Sequence, residues 1–303
     1  MGRSLPAGRA RDAYLWGYDA GWAQRRAGAR ARRPKPARLA GPVRLRALVL
    51  GKLRRRWSPG QIAAWLRRTF PDRPELQVSH ETIYQAVYVQ SRGGLRAEPK
   101  RVVGARAEAL RSGRAGRRPR SRAARAGAPW VGEAVRISAR PAEAAGRAVP
   151  GHWEGDLLVG KAGRSAIVTL VERATRYVML GHLPAGRDAA SVAAVLSELA
   201  GRLPERLRRS LAWDRGAEMA EHARLTVVTG RPVCFCDPHA PWQRGSNENT
   251  NGLLRQYFPK GSFEFSAVTQ ADLDAVAHEL NTRPRQTLGW DTPAYRLDQV
   301  LAA

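Results

Sequence analysis

Three carboxylates in the C-terminal half, Asp156, Asp214 and Glu248, have the type and placement that phosphate chemistry requires. Asp156 lies inside the strand-like run His152 to Val159, Asp214 follows Ser210-Leu211-Ala212-Trp213, and Glu248 ends Gly245-Ser246-Asn247-Glu248 where a helical stretch opens. Acids brought together repel strongly unless a cation neutralises them, and an all-oxygen donor set suits Mg²⁺ or Mn²⁺. Two such ions about 3.5–4 Å apart are the usual arrangement for cutting phosphodiesters, one activating the attacking oxygen and the other steadying the leaving oxygen. Each acid alone also has an ordinary reading. Asp156 could pair with one of many arginines, Asp214 could cap the turn before Arg215-Gly216, and Glu248 is favoured in a first helical turn by the helix dipole. Their joint order gives the catalytic reading its weight.

That reading depends on the elements that carry the acids. His152 to Val159, Ser165 to Glu172 and Tyr177 to Leu183 read as three strands separated by Gly160–Gly163 and Arg173–Arg176, which suits an antiparallel meander. Ala189 to Leu203 reads as a helix and Ser210 to Trp213 as a fourth strand; Pro232 to Cys236 reads as a fifth strand, followed by helices over Asn247 to Tyr257 and Gln270 to Asn281. This α/β order implies a mixed sheet. If strands one and four are neighbours, Asp156 meets Asp214 at the strand end where such sheets place their ligands. Trp153 and Trp213 are expected to pack beside the active strands. Cys234 and Cys236, two apart on a strand, face one side without a second ligand pair, so they are expected in the core rather than on zinc. With these two cysteines no disulfide framework is expected. His278-Glu279 lacks the second histidine of a metalloprotease motif.

The 303 residues include 52 Lys or Arg against 26 Asp or Glu, a formal charge of +26 that calls for a polyanionic partner, nucleic acid first. No long uncharged apolar stretch is present, so no membrane span is expected, and no secretory signal is visible. Between Lys100 and Arg125 ten basic residues, Arg117, Arg118 and Arg120 among them, face one acid, Glu108. No helical or strand period survives there, so residues 96–145 read as a basic flexible linker that contacts phosphates. Upstream, residues 41–95 read as a helical unit. Val43 to Leu53 gives one apolar face, Ser58-Pro59-Gly60-Gln61 carries an N-cap, a first-position proline and a capping box, and Ser79 caps a further helix. A last helix opening in Ser79, His80 and Thr82 is the pattern of a DNA-reading helix-turn-helix, although an ordinary three-helix bundle reads similarly. Residues 1–40 form an Arg-rich segment with a helix expected over Ala13 to Ala23.

The runs His152-Trp153-Glu154-Gly155-Asp156-Leu157-Leu158, Ala212-Trp213-Asp214-Arg215-Gly216-Ala217-Glu218-Met219, and Phe235 through Gly252 to Gly261 resemble the IS30 family of bacterial insertion-sequence transposases. The likeness extends from about Arg33 to Thr292, and thirty-three residues separate Asp214 from Glu248, as in that family. These enzymes belong to the DDE transposases and retroviral-type integrases. The resemblance implies a ribonuclease H-like α/β domain over 146–303 behind a small all-α unit, with Asp156, Asp214 and Glu248 as the metal-binding catalytic triad. It implies a pair of Mg²⁺ or Mn²⁺ ions and water-driven cleavage at element ends. Strand transfer by the freed 3′-hydroxyl would follow, without a covalent enzyme intermediate. Gln243, Arg244, Asn247 and Asn251 would contact DNA or support the metal site. The implied partners are double-stranded DNA and further copies of the chain, in a bacterial cytoplasm at the nucleoid. Family members begin with a further helix-turn-helix that reads their own inverted repeats. This sequence starts in the segment that would follow it, so that unit is expected to be missing. The competing expectations are a catalytically silent DNA-binding remnant and a ribonuclease of the same fold; the acid spacing and the Asp237-to-Gly252 motif favour the integrase side.

Overall fold

The computed structural model describes residues 19–31, 38–39, 41–88, 136–144, 146–184, 186–214, 217–230, 232–237 and 240–303. A first helix, α1 (Ala20–Ala31), runs through the Arg-rich segment. The helix expected over Ala13 to Ala23 lies partly outside the described residues, and α1 covers its last four positions. Then α2 (Val43–Arg54), α3 (Pro59–Thr69) and α4 (His80–Tyr88) pack around Leu45, Val49, Ile62, Leu66 and Ile83. The α3 start is the expected capping box: Ser58 Oγ accepts from Gln61 N–H at 3.3 Å, and Ser58 N–H donates to Gln61 Oε1 at 2.9 Å. Val43, expected on the apolar face of α2, is 82% exposed at its first turn.

The second body is built on β1 (His152–Val159), β2 (Ala166–Glu172), β3 (Val178–His182), β4 (Ser210–Trp213) and β5 (Val233–Phe235), in the order β3-β2-β1-β4-β5. The first three strands pair antiparallel, whereas β4 joins β1 and β5 joins β4 in parallel, which makes the sheet mixed. Helix α5 (Ala189–Gly201) crosses from β3 to β4, and α6 (His222–Thr229) from β4 to β5. Trp153, Val168, Leu196, Leu199 and Phe235 fill the face they cover. On the other face, α7 (Gly245–Leu254) and α8 (Gln270–Asn281) close over Ile167, Leu180, Leu254, Phe265 and Leu280. A last helix, α9 (Pro293–Ala302), begins at the Thr292 cap. Residues 136–144, ahead of β1, also join this body: Ile137 is buried with Ala212, Cys234 and Cys236, and Arg136 bridges to Phe235. Both cysteines are free core residues, and burial pushes the Cys236 thiol up to about 11.

The two bodies touch through a polar seam. Gln61 Nε2 donates to Pro284 O at 2.9 Å in a buried position, and Arg283, only 1% exposed, donates to Arg55 O at 2.7 Å. Arg56 lies over the Tyr257 ring at 4.4 Å, and Arg68 pairs with Asp291 at 2.8 Å.

Candidate active site

Alternation along β1 decides which side chains can meet. Glu154 and Asp156 are two residues apart and share one face of the strand, while Gly155 between them turns to the other. There the Trp213 ring presses so close that a Cβ on Gly155 would stand 2.1 Å from it, so only glycine fits. Glu154 pairs with Ala212 across the parallel β1–β4 ladder. Asp156 and Asp214 each lie two residues beyond that pair, which brings two acids distant in sequence side by side at the C-terminal end of β4. Trp153 and Trp213 are core residues, as expected, with the Trp153 indole N–H donating to Leu207 O at 2.7 Å.

Helix α7 is fastened alongside β1. Glu154 is fully buried; its Oε2 accepts from the backbone N–H groups of Ser246 at 2.8 Å and Asn247 at 2.9 Å, and its Oε1 pairs with Arg173. A buried carboxylate is held there because helix N-terminal amides point at it and carry positive partial charge. Asn247 Nδ2 donates to Glu154 O at 2.9 Å, and one turn on, Asn251 Nδ2 donates to Asp156 Oδ2 at 2.9 Å. Four helical residues advance about 6 Å and two strand residues about 6.6 Å, so helix and strand keep step over this stretch. Glu248 sits between these ties on the exposed side of the first turn. Positions three apart are surface neighbours on a helix, so Glu248 stands beside Asn251, the residue that holds Asp156.

A cation already sits between the two aspartates. Arg244, just ahead of α7, reaches Asp214 Oδ2 at 3.1 Å and Asp156 Oδ1 at 3.5 Å, and donates to Gly155 O at 2.7 Å. Burial opposes its charge, but Asp156 and Asp214 outweigh that and hold it above its ordinary range. Burial raises Asp156 to about 6; Arg244 pulls it down and the Asp214 charge pushes it up. Asp214 Oδ1 and Asn251 Oδ1 are shut away from solvent without a hydrogen-bond partner. Orphaned hard oxygens around a bound cation fit a divalent metal.

Asp156 and Asp214 therefore converge as expected, and Glu248 lies one helical turn from the Asn251–Asp156 contact. No set of three His, Cys, Asp or Glu side chains stands ready around a single point among the described residues. Asn247, expected to contact DNA or support the metal site, is fully buried and locks α7 to β1 and to Thr169. Gln243 braces its own loop, donating to Asp237 Oδ2 at 2.7 Å and accepting from Asp237 N–H at 2.8 Å. Arg244 faces the aspartates rather than open solvent. Ser79 accepts from Thr82 N–H at 3.1 Å, and the two hydroxyls lie 2.8 Å apart, so both serve the start of α4. His80 is exposed beside them. Arg117, Arg118 and Arg120 fall outside the described residues. Sequence reasoning missed Glu154 and Arg173, although two acids at alternate positions of one strand were a visible sign that both face the same neighbour.

The chain is similar to known proteins along most of its length. The integrase core domain family matches residues 146–241. The chain is 46% identical over 288 residues to the transposase of insertion sequence IS1086 from Cupriavidus metallidurans, covering 94% of this chain and 82% of that protein. It is 45% identical over 285 residues to the IS30A transposase InsI of Escherichia coli K12, covering 94% and 72%. It is 34% identical over 291 residues to the IS4351 transposase of Bacteroides fragilis, covering 96% and 83%. With an integrase-type sheet that juxtaposes Asp156 and Asp214, and relatives this similar along nearly its whole length, the chain belongs to the IS30 family of DDE transposases.

Proposed function

We propose that Asp156, Asp214 and Glu248 hold two Mg²⁺ or Mn²⁺ ions, and that the chain uses them to nick insertion-sequence ends and join the freed 3′-hydroxyl to target DNA. The observation that carries this reading is the pair of aspartates bridged by Arg244 at the C-terminal end of β4, with Glu248 on a helix fastened to β1. When bound, the divalent ions supply a polarised attacking oxygen and charge neutralisation at the leaving oxygen. The chain's own residues set the geometry. Glu154 and Asn247 fix the start of α7, Asn251 orients the Asp156 carboxylate, and the Asp214 oxygens complete an anionic rim. Arg244, displaced from between the aspartates, gains the freedom to meet a DNA phosphate, for which a guanidinium fork is well shaped.

The strongly basic chain supplies the phosphate grip, so binding is expected to weaken steeply with salt. The α4 start, with His80 exposed, and the basic run around Arg117 to Arg120 are its proposed DNA contacts. Two ends must be held together for joining, so the working form is proposed to be a multimer, acting at the bacterial nucleoid. The described residues contain no helix long and apolar enough to cross a membrane. A silent DNA-binding remnant is not favoured, because all three acids and the residues that position Asp156 are present.

The test is strand transfer in vitro, with short duplexes ending in the inverted repeats that flank the reading frame, a plasmid target and either metal. Metal-dependent joined products that vanish in Asp214→Asn are expected. Duplexes bound but never cut or joined with either ion would sink the catalytic reading.

A further inference from the structure

Between the helical unit and the sheet domain lies a cleft of about 470 Å³ that the triad does not use. That volume is within the ~300–1,000 Å³ typical of sites for small ligands. Its walls combine rings with amide and hydroxyl edges: His80 and Tyr84 from α4, Trp290 from the turn before α9, and Asn249, Gln286 and Thr287 at the rim. The His80 and Tyr84 rings meet edge to face at 6.5 Å. Trp290 Cη2 ends 3.5 Å from where a Cβ on Gly60 would stand, so the indole spans from the turn to the start of α3. Rings with nearby amides suit one kind of guest, a flat heterocycle with a hydrogen-bonding edge.

Backbone strain points to the same place. Trp290 has φ 71°, in the left-handed region that bulky side chains avoid, and lines this cleft; the positive φ of Arg56 beside it is the ordinary left-handed close of α2, with the Arg56 and Trp57 N–H groups returning to Leu53 O and Lys52 O. Held conformations of this kind concentrate where a structure grips something. Position narrows the guest further. His80 opens the helix expected to read DNA, and Asn249 is the residue after Glu248 on α7. The cleft is thus bordered by the start of α4 and by the α7 turn that carries Glu248.

We propose that this cleft receives one unstacked nucleotide of the DNA strand next to the reacting phosphate, its base lying against Trp290 and Tyr84. The inference rests on the reading of the chain as a DNA enzyme and adds a base-binding site to it. Extruding a base costs least where it is already unpaired, so a mismatched position should be preferred.

The experiment uses the full chain in EDTA, with a fluorescein-labelled short duplex of arbitrary sequence, either fully matched or carrying one central mismatch. Binding is followed by fluorescence anisotropy at fixed salt. Wild type is expected to bind the mismatched duplex about tenfold more tightly. Trp290→Gly removes the ring while glycine keeps the left-handed turn without strain; it should bring the ratio close to one, and Tyr84→Ala should do the same. A wild-type ratio of one, or a ratio that survives both variants, overturns the base-binding site and leaves the DNA reading standing. Failure to bind either duplex overturns both.

Discussion

Asp156 lives under opposing demands. Burial lifts its pKa to about 6, above the ordinary aspartate value of 3.8. The folded state thus holds the proton more tightly than the unfolded chain, and stability falls as pH rises from about 4 to about 6. Above that window the full penalty is present, on the order of 3 kcal/mol at most. Metal-free protein should therefore melt at higher temperature near pH 5 than near pH 7.5. Asp156→Asn should flatten this dependence and raise the melting temperature at pH 7.5; a wild-type profile without the fall would refute the assignment. Added Mn²⁺ should stabilise wild type more at pH 7.5 than at pH 5, because the ion needs the ionised carboxylate. Arg244 is the internal counter-charge that makes the metal-free state tolerable. Arg244→Gln should cost roughly 1–3 kcal/mol of metal-free stability, less than breaking a fully buried pair because Asp214 is partly open to water. The same change removes a competitor for the site, so calorimetric Mn²⁺ affinity should rise by about tenfold. Weaker or unchanged Mn²⁺ binding would show that Arg244 does not compete with the ion.

Helix α7 and strand β1 act as one element, and the tie between them is the buried Glu154 carboxylate. Glu154→Ala leaves the buried Arg173 without its carboxylate partner and two helix amides without an acceptor, so a loss of about 3–5 kcal/mol is expected. Glu154→Gln keeps an acceptor and should lose less, yet calorimetric Mn²⁺ affinity should still fall because the start of α7 loosens. Equal stability in Glu154→Ala and wild type would remove Glu154 from the tie. This element also shows how far the sequence could be read. The strands, α3, α8 and the alignment of Asp156 with Asp214 followed from alternation, the Ser58-Pro59-Gln61 cap and strand order, which are local signals. The Glu154 tie and the inward turn of Asn247 depend on which face of α7 meets the sheet, and spacing within α7 alone does not decide that. Helix α9 was overlooked although Thr292-Pro293 carries the same kind of cap-and-proline start as Ser58-Pro59. The resemblance left Arg244 either at DNA or beside the metal site; only the folded geometry puts two aspartates in front of it.

At the scale of the molecule, the seam between the helical unit and the sheet domain decides whether the proposed DNA contacts and the chemistry share one frame. Arg283 is the centre of that seam. It is almost wholly buried, and its guanidinium contacts Arg55 O, Glu279 at 2.7 Å and the Tyr257 hydroxyl. Gln61, whose side-chain oxygen caps α3, reaches across to Pro284 O with its side-chain amide N–H. A three-helix unit of this size buries too little surface to be robust alone. Docking on the sheet domain should therefore carry part of its stability, and the two bodies should melt together. Calorimetry of wild type is expected to give one cooperative transition for the described bodies. Arg283→Ala removes the bridge and leaves Glu279 and the Arg55 carbonyl unsatisfied, at a cost of about 3–5 kcal/mol. The helical unit should then melt first, giving a separate early transition, while the sheet domain keeps most of its wild-type melting temperature. Strand transfer should fall in this variant more than binding of a plain duplex does, since both bodies remain but no longer hold the DNA path in register with Asp156 and Asp214. A single unsplit transition in Arg283→Ala, with joining and binding reduced equally, would mean that the two bodies communicate by some route other than this seam.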